Sequence, residues 1–276
     1  VRASERGEDM PIIMCGGPCT YNPEPLWDIA DLVCIGEAEE QINEVMDLYK
    51  NYKENKKEFL RNVCHIEGIY EDVPKKITKR IIKNFNDVVY PDKLIVPYTD
   101  IVHDRIVLET FRGCTRGCRF CQAGMIYRPV REKNTSKLLE QADKLIKNTG
   151  YSEVSLTSLS ICDYSDLKNL VYNFIEKYEK KKVGVSLPSL RIDSFSVELI
   201  NEIQKVRKTG LTFAPEAGSQ RMRDVINKGV TEEDLMNSVK SAFLSGWSTI
   251  KLYFMIGLPY ENVKDVEVPE DWAVAI

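Results

Sequence analysis

The sequence predicts an α/β protein in which a partial (β/α) barrel follows the end of a doubly wound α/β domain. From residue 105 onward, short apolar runs alternate with amphipathic segments, which is typical of parallel βαβ units. The first 52 residues show the same alternation twice. The 276 residues are 43% hydrophobic and carry a formal net charge of −4. This composition is typical of a globular protein, and it excludes collagen-like, disordered and strongly basic nucleic-acid-binding classes.

Residues 1–52 predict the order strand, helix, strand, helix. Apolar runs at 12–15 and 32–35 are strand-like, a helical patch covers 26–30, and apolar residues recur every three or four positions from Ala38 to Tyr49. Residues 53–103 are rich in Lys and Asn and contain three prolines. We predict a linker there, with short strands at 87–90 and 94–96.

Residues 104–276 predict the barrel. Strands are expected near 105–110, 153–160, 182–188, 210–215 and 249–256, and helices near 135–148, 165–181, 196–208 and 219–245. In such folds ligands bind at the carboxyl ends of the strands. We therefore expect the functional residues just after each strand. Because only five strands precede Ile276, and because residues 1–10 lack the features of a signal peptide, we interpret the chain as an internal fragment of a cytoplasmic protein.

Three cysteines follow the first barrel strand within eight residues: Cys114, Cys118 and Cys121. Glycines at 113, 117 and 124 allow this loop to bend until three thiolates converge on one centre. A structural zinc site needs a fourth ligand at suitable spacing, and a ferredoxin-type run needs a cysteine where Met125 stands. The pattern favours an iron–sulfur cluster with one open iron. A zinc site or a chance grouping of thiols is the alternative.

The Cys-x₃-Cys-x₂-Cys spacing, with Phe120 before the last cysteine, resembles the radical S-adenosylmethionine (radical SAM) superfamily. The resemblance implies a partial (β/α)₆ barrel that holds a [4Fe-4S] cluster through the three cysteines and binds SAM at the open iron, with Phe120 beside it. Reductive cleavage of SAM then starts radical chemistry on an unknown substrate. It also implies a reductant such as flavodoxin or ferredoxin.

The same resemblance assigns SAM contacts to later strand ends. Thr157 and Ser158 stand where the superfamily often has a Gly-Gly-Glu-like segment beside the SAM amino group, although a merely packed Ser/Thr strand is the alternative. Arg191 is implied to bind the SAM carboxylate, unless it forms a surface pair with Asp193. Residues 216–219 resemble the Glu-x-Gly-Ser segment of cobalamin-associated radical SAM enzymes and methylthiotransferases, and this resemblance implies that Glu216 binds the ribose or amino group of SAM. We expect Glu216 to bind a ligand because an unpaired carboxylate facing a pocket is costly.

Ile256 and Gly257 precede Leu258 and Pro259, in a stretch similar to the Gly-Leu-Pro-x-Glu segment whose backbone contacts adenine. Residues 11–39 resemble the last strands of a cobalamin-binding-like domain. The chain is thus similar over nearly its whole length to an uncharacterised B12-binding-like radical SAM family. The cobalamin-ligating motif would precede Val1, so cobalamin is expected only in the full-length protein.

Two alternatives to this function stay open. Basic side chains around the cysteines would stabilise an anionic cluster, but they could also contact RNA, as in an RNA methyltransferase or methylthiotransferase. No RNA-binding module is visible. We predict no membrane partner, and a nucleic-acid partner stays open as the less favoured alternative. A non-catalytic iron–sulfur protein for electron transfer, or a zinc protein, is the other alternative. The sequence does not specify the substrate.

Overall fold

The computed structural model describes residues 2–70, 76–188, 190–192, 197–204 and 210–267. It divides the chain into two compact units, Val1–Val89 and Tyr90–Ile276. The division into segments 1–52, 53–103 and 104–276 stays a prediction. Within the described ranges, no helix has the length and apolar character needed to cross a bilayer.

The first unit is a small sheet packed against helices. Its elements are β1 (Met14–Cys15), α1 (Glu24–Trp27), β2 (Leu32–Cys34), α2 (Ala38–Tyr52), α3 (Lys56–Val63) and β3 (Ile69–Tyr70). Strand β2 pairs in parallel with β1 and antiparallel with β3. Leu32 and Cys34 of β2 pack against Val45 of α2 and Phe59 of α3. The order β1, α1, β2, α2 is the predicted one.

The segment predicted as a linker contains a regular helix. Helix α3 begins at Lys56, where the Asn55 side chain accepts a hydrogen bond from the backbone N–H of Glu58. Its buried face places Phe59 and Val63 in the core of the first unit. The prediction of strands at 87–90 and 94–96 is wrong. A 3₁₀ turn covers Phe85–Asp87, and residues 88–90 and 94–96 belong to no strand. Residues of high β-propensity form a strand only where a neighbouring strand can pair with them.

The second unit contains the predicted βα series. Its strands are β4 (Ile106–Glu109), β5 (Phe111–Arg112), β6 (Arg131–Glu132), β7 (Glu153–Thr157), β8 (Gly184–Ser186), β9 (Leu211–Glu216) and β10 (Ile250–Phe254). Its helices are α4 (Ala123–Ile126), α5 (Thr135–Thr149), α6 (Leu167–Tyr178), α7 (Val197–Gln204), α8 (Gln220–Val225) and α9 (Glu232–Leu244). Strands β4, β7 and β8 form one parallel sheet, and β9 pairs in parallel with β10. Strands β5 and β6 form an antiparallel pair.

One helix of this unit differs from the prediction. The single helix expected over 219–245 is two helices, α8 and α9. Asn227 and Gly229 both have positive φ between them, and the Thr231 side chain caps α9 by accepting a hydrogen bond from the N–H of Asp234. The break places residues 226–229 in a loop instead of on a helix face.

Buried residues of the parallel strands form the core of the second unit. Ile106 and Leu108 of β4, and Val154 and Leu156 of β7, belong to one buried cluster with residues of α5 and α6. The carboxyl ends of β4, β7 and β8 lie at the same edge because these strands are parallel. The cysteine loop follows β4 and β5, and therefore starts at that edge.

Candidate functional site

Cys114, Cys118 and Cys121 lie between β5 and α4, and each is a free, partly exposed thiol. The sulfur of Cys114 accepts a 3.5 Å contact from the backbone N–H of Arg116. The N–H of Cys121 donates to the carbonyl of Cys118 over 3.1 Å. The loop is thus folded into tight turns that keep all three cysteines on one short segment.

Glycine at position 113 is required by a close backbone approach. Its φ is +98°, and a Cβ there would lie 2.6 Å from the carbonyl oxygen of Pro129. Arg128 adds a further contact to the same part of the loop, because its Nε donates to the carbonyl of Cys114 over 3.2 Å. The start of the cysteine loop is therefore pressed against the segment that leads into β6.

The far side of the cysteine loop rests on the end of α8. The N–H of Arg119 donates to the carbonyl of Ile226 over 2.9 Å, and the Asn227 amide donates to the carbonyl of Gly117 over 2.9 Å. These contacts use the residues that interrupt the predicted long helix. The break after α8 therefore has a local role, since it supplies backbone and amide partners to the loop.

An ion pair joins the middle of the cysteine loop to the segment after β7. Arg116 donates from Nε to Oδ2 of Asp163 over 2.9 Å, and a second hydrogen bond joins Nη2 to Oδ1. Although burial acts to raise the pKa of Asp163, the hydrogen bonds from Arg116 lower it below the usual value for aspartate. Arg191 adds a favourable charge on the same carboxylate.

The described cysteine loop does not form a site for a single metal ion. Among the residues that the structure describes, no group of three or more His, Cys, Asp and Glu side chains is arranged to hold a single metal ion. A four-iron cluster makes a different demand, because each thiolate binds a different iron and the sulfur atoms stand farther apart. The donor set of three thiols on one loop fits that demand better than it fits a structural zinc site, which needs four ligands around one ion.

Thr157 and Ser158 lie where β7 ends. The carbonyl of Thr157 accepts a hydrogen bond from the N–H of Thr110 over 3.0 Å, which joins this strand end to the start of β5. The Ser158 hydroxyl oxygen is buried and has no hydrogen-bond partner among the described residues. A buried hydroxyl without a partner is uncommon, and the hydroxyls of Ser160 and Ser186 share this status.

Lys228 brings together three of the residues predicted to contact SAM. Its ammonium lies 3.2 Å from Oε1 of Glu216 and 5.8 Å from the centre of the Phe120 ring. Its carbonyl accepts a hydrogen bond from the Arg191 guanidinium over 3.3 Å. Glu216 is therefore paired with Lys228, so its predicted role as a ligand-binding group cannot be argued from an unpaired carboxylate and stays a prediction. Asp193, the alternative partner of Arg191, lies outside the described residues.

An apolar pocket of about 380 Å³ lies beside the cysteine loop. The residues that line it come from that loop, from the end of α8 and from the segment after β10: Arg119, Phe120, Val225, Ile226, Leu258, Pro259 and Tyr260. Ile256 and Gly257 directly precede this lining. The Ile256 side chain is 79% exposed, and Gly257 has a φ of +89°.

Acidic side chains shape the segment that follows β10. The Glu261 carboxylate accepts the N–H of Gly257 over 2.6 Å. Asp265 is buried and accepts hydrogen bonds from the side chains of Arg221 and Ser219. The bond from Arg221, followed by that from Ser219, lowers the pKa of Asp265 to about 2. The pocket wall is thereby tied to the first turn of α8.

The sequence analysis missed Asp163, Asn227 and Lys228 as parts of this site. Asp163 follows a predicted strand at its carboxyl end, which is where functional residues were expected, but nothing in the sequence marks it as a partner of Arg116. Asn227 and Lys228 fell inside the helix expected over 219–245. The Asn-Lys-Gly sequence at 227–229 was the available signal, because Asn and Gly together favour a left-handed turn.

Comparison with known families decides the assignment. Residues 108–271, more than half of the chain, match the model of the radical SAM superfamily. The chain belongs to the radical SAM superfamily. Residues 1–74 match a second model, that of the N-terminal region of radical SAM proteins. The prediction made from the cysteine spacing is confirmed at the level of the superfamily.

Curated relatives of this radical SAM chain include proteins of archaea and of bacteria. An uncharacterized protein of Methanocaldococcus jannaschii is 34% identical over 266 residues, which cover 93% of this chain and 54% of the relative. A putative methylthiotransferase of the same organism is 23% identical over 76% of this chain and 49% of the relative. The chain thus spans about half the length of the curated relatives it matches.

Two solved structures share the fold. One is the cobalamin-dependent radical enzyme OxsB with aqua-cobalamin and SAM bound, with a TM-score of 0.68 at 17% identity over 95% of this chain and 38% of that one. The other is the radical SAM methyltransferase TsrM from Kitasatospora setae, with a TM-score of 0.67 at 12% identity over 95% of this chain and 53% of that one. At these identities the likeness establishes the fold alone, and it confirms the predicted barrel with a preceding α/β region.

Proposed function

We propose that this chain binds a [4Fe-4S] cluster through Cys114, Cys118 and Cys121 and cleaves SAM reductively to start radical chemistry. The observation that carries the proposal is the placement of three free cysteines on one loop at the carboxyl edge of β4, β7 and β8. When bound, the cluster supplies the electron for SAM cleavage and an iron to which SAM binds. The protein's part is to hold the cluster, orient SAM and exclude water.

The residues around the loop are suited to bind the polar part of SAM. Ser158 has a buried hydroxyl that needs a partner, and Thr157 lies beside it at the end of β7. Arg191 and Lys228 provide positive charge for a carboxylate, whereas Glu216 provides an acceptor for an ammonium or a ribose hydroxyl. Opposite charges held together in this way match the methionyl group of SAM, which carries both an ammonium and a carboxylate.

The apolar pocket beside Phe120 is suited to bind the adenine of SAM. Its lining is mostly hydrophobic, and it lies between the cysteine loop and the segment after β10. Ile256 and Gly257, the predicted adenine contacts, lead directly into that segment. A flat aromatic base is stabilised there by burial and by contact with the Phe120 ring.

The overall reaction is a narrower proposal. A putative methylthiotransferase and an uncharacterized methyltransferase are among the relatives, at 23% and 22% identity. We propose methyl or methylthio transfer as the first reaction class to test, with methyl-labelled SAM and product analysis by mass spectrometry. We propose cobalamin as a cofactor of the full-length protein only, and this chain covers 38% of OxsB and 53% of TsrM, both of which were solved with cobalamin bound. A flavodoxin or ferredoxin would supply the electron.

The test is anaerobic reconstitution with iron and sulfide, followed by electron paramagnetic resonance of the reduced protein with and without SAM. We expect a cluster signal whose shape changes when SAM is added. Cys118→Ser should lose most of the iron, whereas Cys19→Ser, at an exposed cysteine of the first unit, should retain it. Zinc in place of iron, or an unchanged iron content in Cys118→Ser, would overturn the assignment.

Glu216→Gln tests the SAM site separately from the cluster. A hydrogen bond to a charged group contributes about 1.5–3 kcal/mol, so we expect SAM affinity to fall at least about tenfold. Iron content should not change, because Glu216 is outside the cysteine loop. Equal SAM affinity in the variant and the wild type would remove Glu216 from the site.

A further inference from the structure

The contact between Arg116 and Asp163 differs from the other contacts that hold the cysteine loop. Arg119, Asn227 and Arg128 all bond to backbone carbonyls. Arg116 instead meets a carboxylate through two hydrogen bonds, with its side chain 33% and that of Asp163 23% exposed. A bidentate arginine–carboxylate pair fixes orientation as well as distance.

Asp163 lies in a short turn that is anchored in the hydrophobic core. It is the last residue of the 3₁₀ turn Ile161–Asp163, which follows β7. Ile161 at the start of this turn is 0% exposed, and Tyr164, the residue after Asp163, is 4% exposed. Both belong to the main hydrophobic cluster of the second unit. The N–H of Asp163 donates to the carbonyl of Ser160 over 2.9 Å. A side chain that binds Asp163 is therefore held against the hydrophobic core of the second unit.

Arg116 lies midway between two of the cysteines, two residues after Cys114 and two before Cys118. We propose that Arg116 and Asp163 are positioning residues that lock this part of the loop to the core and neutralise the charge of Arg116 beside the cluster. The inference rests on the proposed cluster site. It adds a structural lock and a control of reduction potential that the cysteines alone do not supply.

The charges of Arg116 and Asp163 should affect the reduction potential of the cluster, which a purely structural contact would not do. Asp163→Asn leaves an uncompensated guanidinium near the cluster, which favours the more negative reduced state and shifts the midpoint potential to a more positive value. Arg116→Gln leaves the Asp163 carboxylate with only the charge of Arg191 to offset it, and shifts the potential to a more negative value. The double variant, with two neutral amides, should return close to the wild-type potential.

Loss of the lock should also loosen the loop. We expect iron release to an added chelator to become about tenfold faster in Asp163→Asn and in Arg116→Gln, which corresponds to about 1.4 kcal/mol. Asp163→Glu and Arg116→Lys keep the charges and should remain closer to the wild type in potential. They keep the test decisive if a neutral variant folds poorly.

Glu153→Gln is the matched control. Glu153 begins β7, the strand that leads to Asp163, and it pairs with Arg105 over 2.9 Å at similar exposure. It lies at the opposite end of the strand from the cysteine loop, so its variant should change neither potential nor iron release. Potentials that shift in the same direction in both single variants, or not at all, would refute the lock. A wild-type protein that holds no iron would refute the proposed function instead.

Discussion

Replacing Gly113 by alanine is expected to destabilise the cysteine loop much more than the same replacement at Gly117. Both glycines have positive φ, +98° at Gly113 and +72° at Gly117. Their surroundings differ. A Cβ at Gly113 would lie 2.6 Å from the carbonyl of Pro129 and 2.9 Å from that of Tyr127, whereas a Cβ at Gly117 would have no neighbour closer than 3.5 Å.

The magnitude follows from two separate costs. A left-handed backbone costs an alanine roughly 1–2 kcal/mol, and this cost applies to both variants. At Gly113 the backbone must also move away from two carbonyl oxygens, and forcing extra volume into a packed site costs roughly 1–3 kcal/mol more. We therefore expect Gly113→Ala to lose roughly 2–5 kcal/mol and Gly117→Ala roughly 1–2 kcal/mol.

Urea unfolding of the metal-free protein measures this difference, and iron content after reconstitution measures its consequence. Gly150→Ala is the control, because Gly150 has a φ of +74° at the end of α5 with no atom within 4 Å of an added Cβ. It should resemble Gly117→Ala in stability but retain its iron. If Gly113→Ala proved as stable as Gly117→Ala, the close approach to Pro129 would not constrain the loop and the reasoning would be wrong.

Three further predictions concern buried polar groups and a thiol. Arg223 is 1% exposed and donates to three backbone carbonyls, so Arg223→Met should lose roughly 3 kcal/mol or more in urea unfolding. The pKa of Asp265 is about 2, below roughly 3.9 for a free aspartate, so its contribution to stability is complete above about pH 4 and is lost as the pH falls towards 2. Acid unfolding of Asp265→Asn should lack that part of the pH dependence. Burial raises the pKa of Cys34 to about 11, so iodoacetamide at mildly alkaline pH should label the exposed Cys19 well before Cys34, as peptide mapping would show.

Periodic patterns predicted most of the fold, since each predicted barrel strand contains or overlaps an observed one. The pattern is local in origin, because alternating residues of a strand face the helices and every third or fourth residue of a helix faces the sheet. Helix α3 and the break between α8 and α9 were missed. In both cases a helix begins or ends at a capping side chain or at a residue with positive φ. One or two residues form such a signal, so it is weak in the sequence.

The cysteine spacing predicted the superfamily because the three thiols lie within one loop, where sequence distance limits spatial distance. Contacts that join distant segments had no such signal. Asp163 lies 47 positions from Arg116, and Asn227 lies 110 positions from Gly117. Only the paired strands and the loop after α8 bring these residues together.

Local patterns in the sequence were sufficient to predict the βα order, the loop with three thiols and the superfamily to which the chain belongs. The partners that hold that loop, the pairing of Glu216 with Lys228 and the buried hydroxyl of Ser158 became visible only once the chain was folded. Periodicity and short spacings are properties of neighbouring residues. Ion pairs and hydrogen bonds between strand ends depend on how the whole barrel packs, which no local pattern encodes.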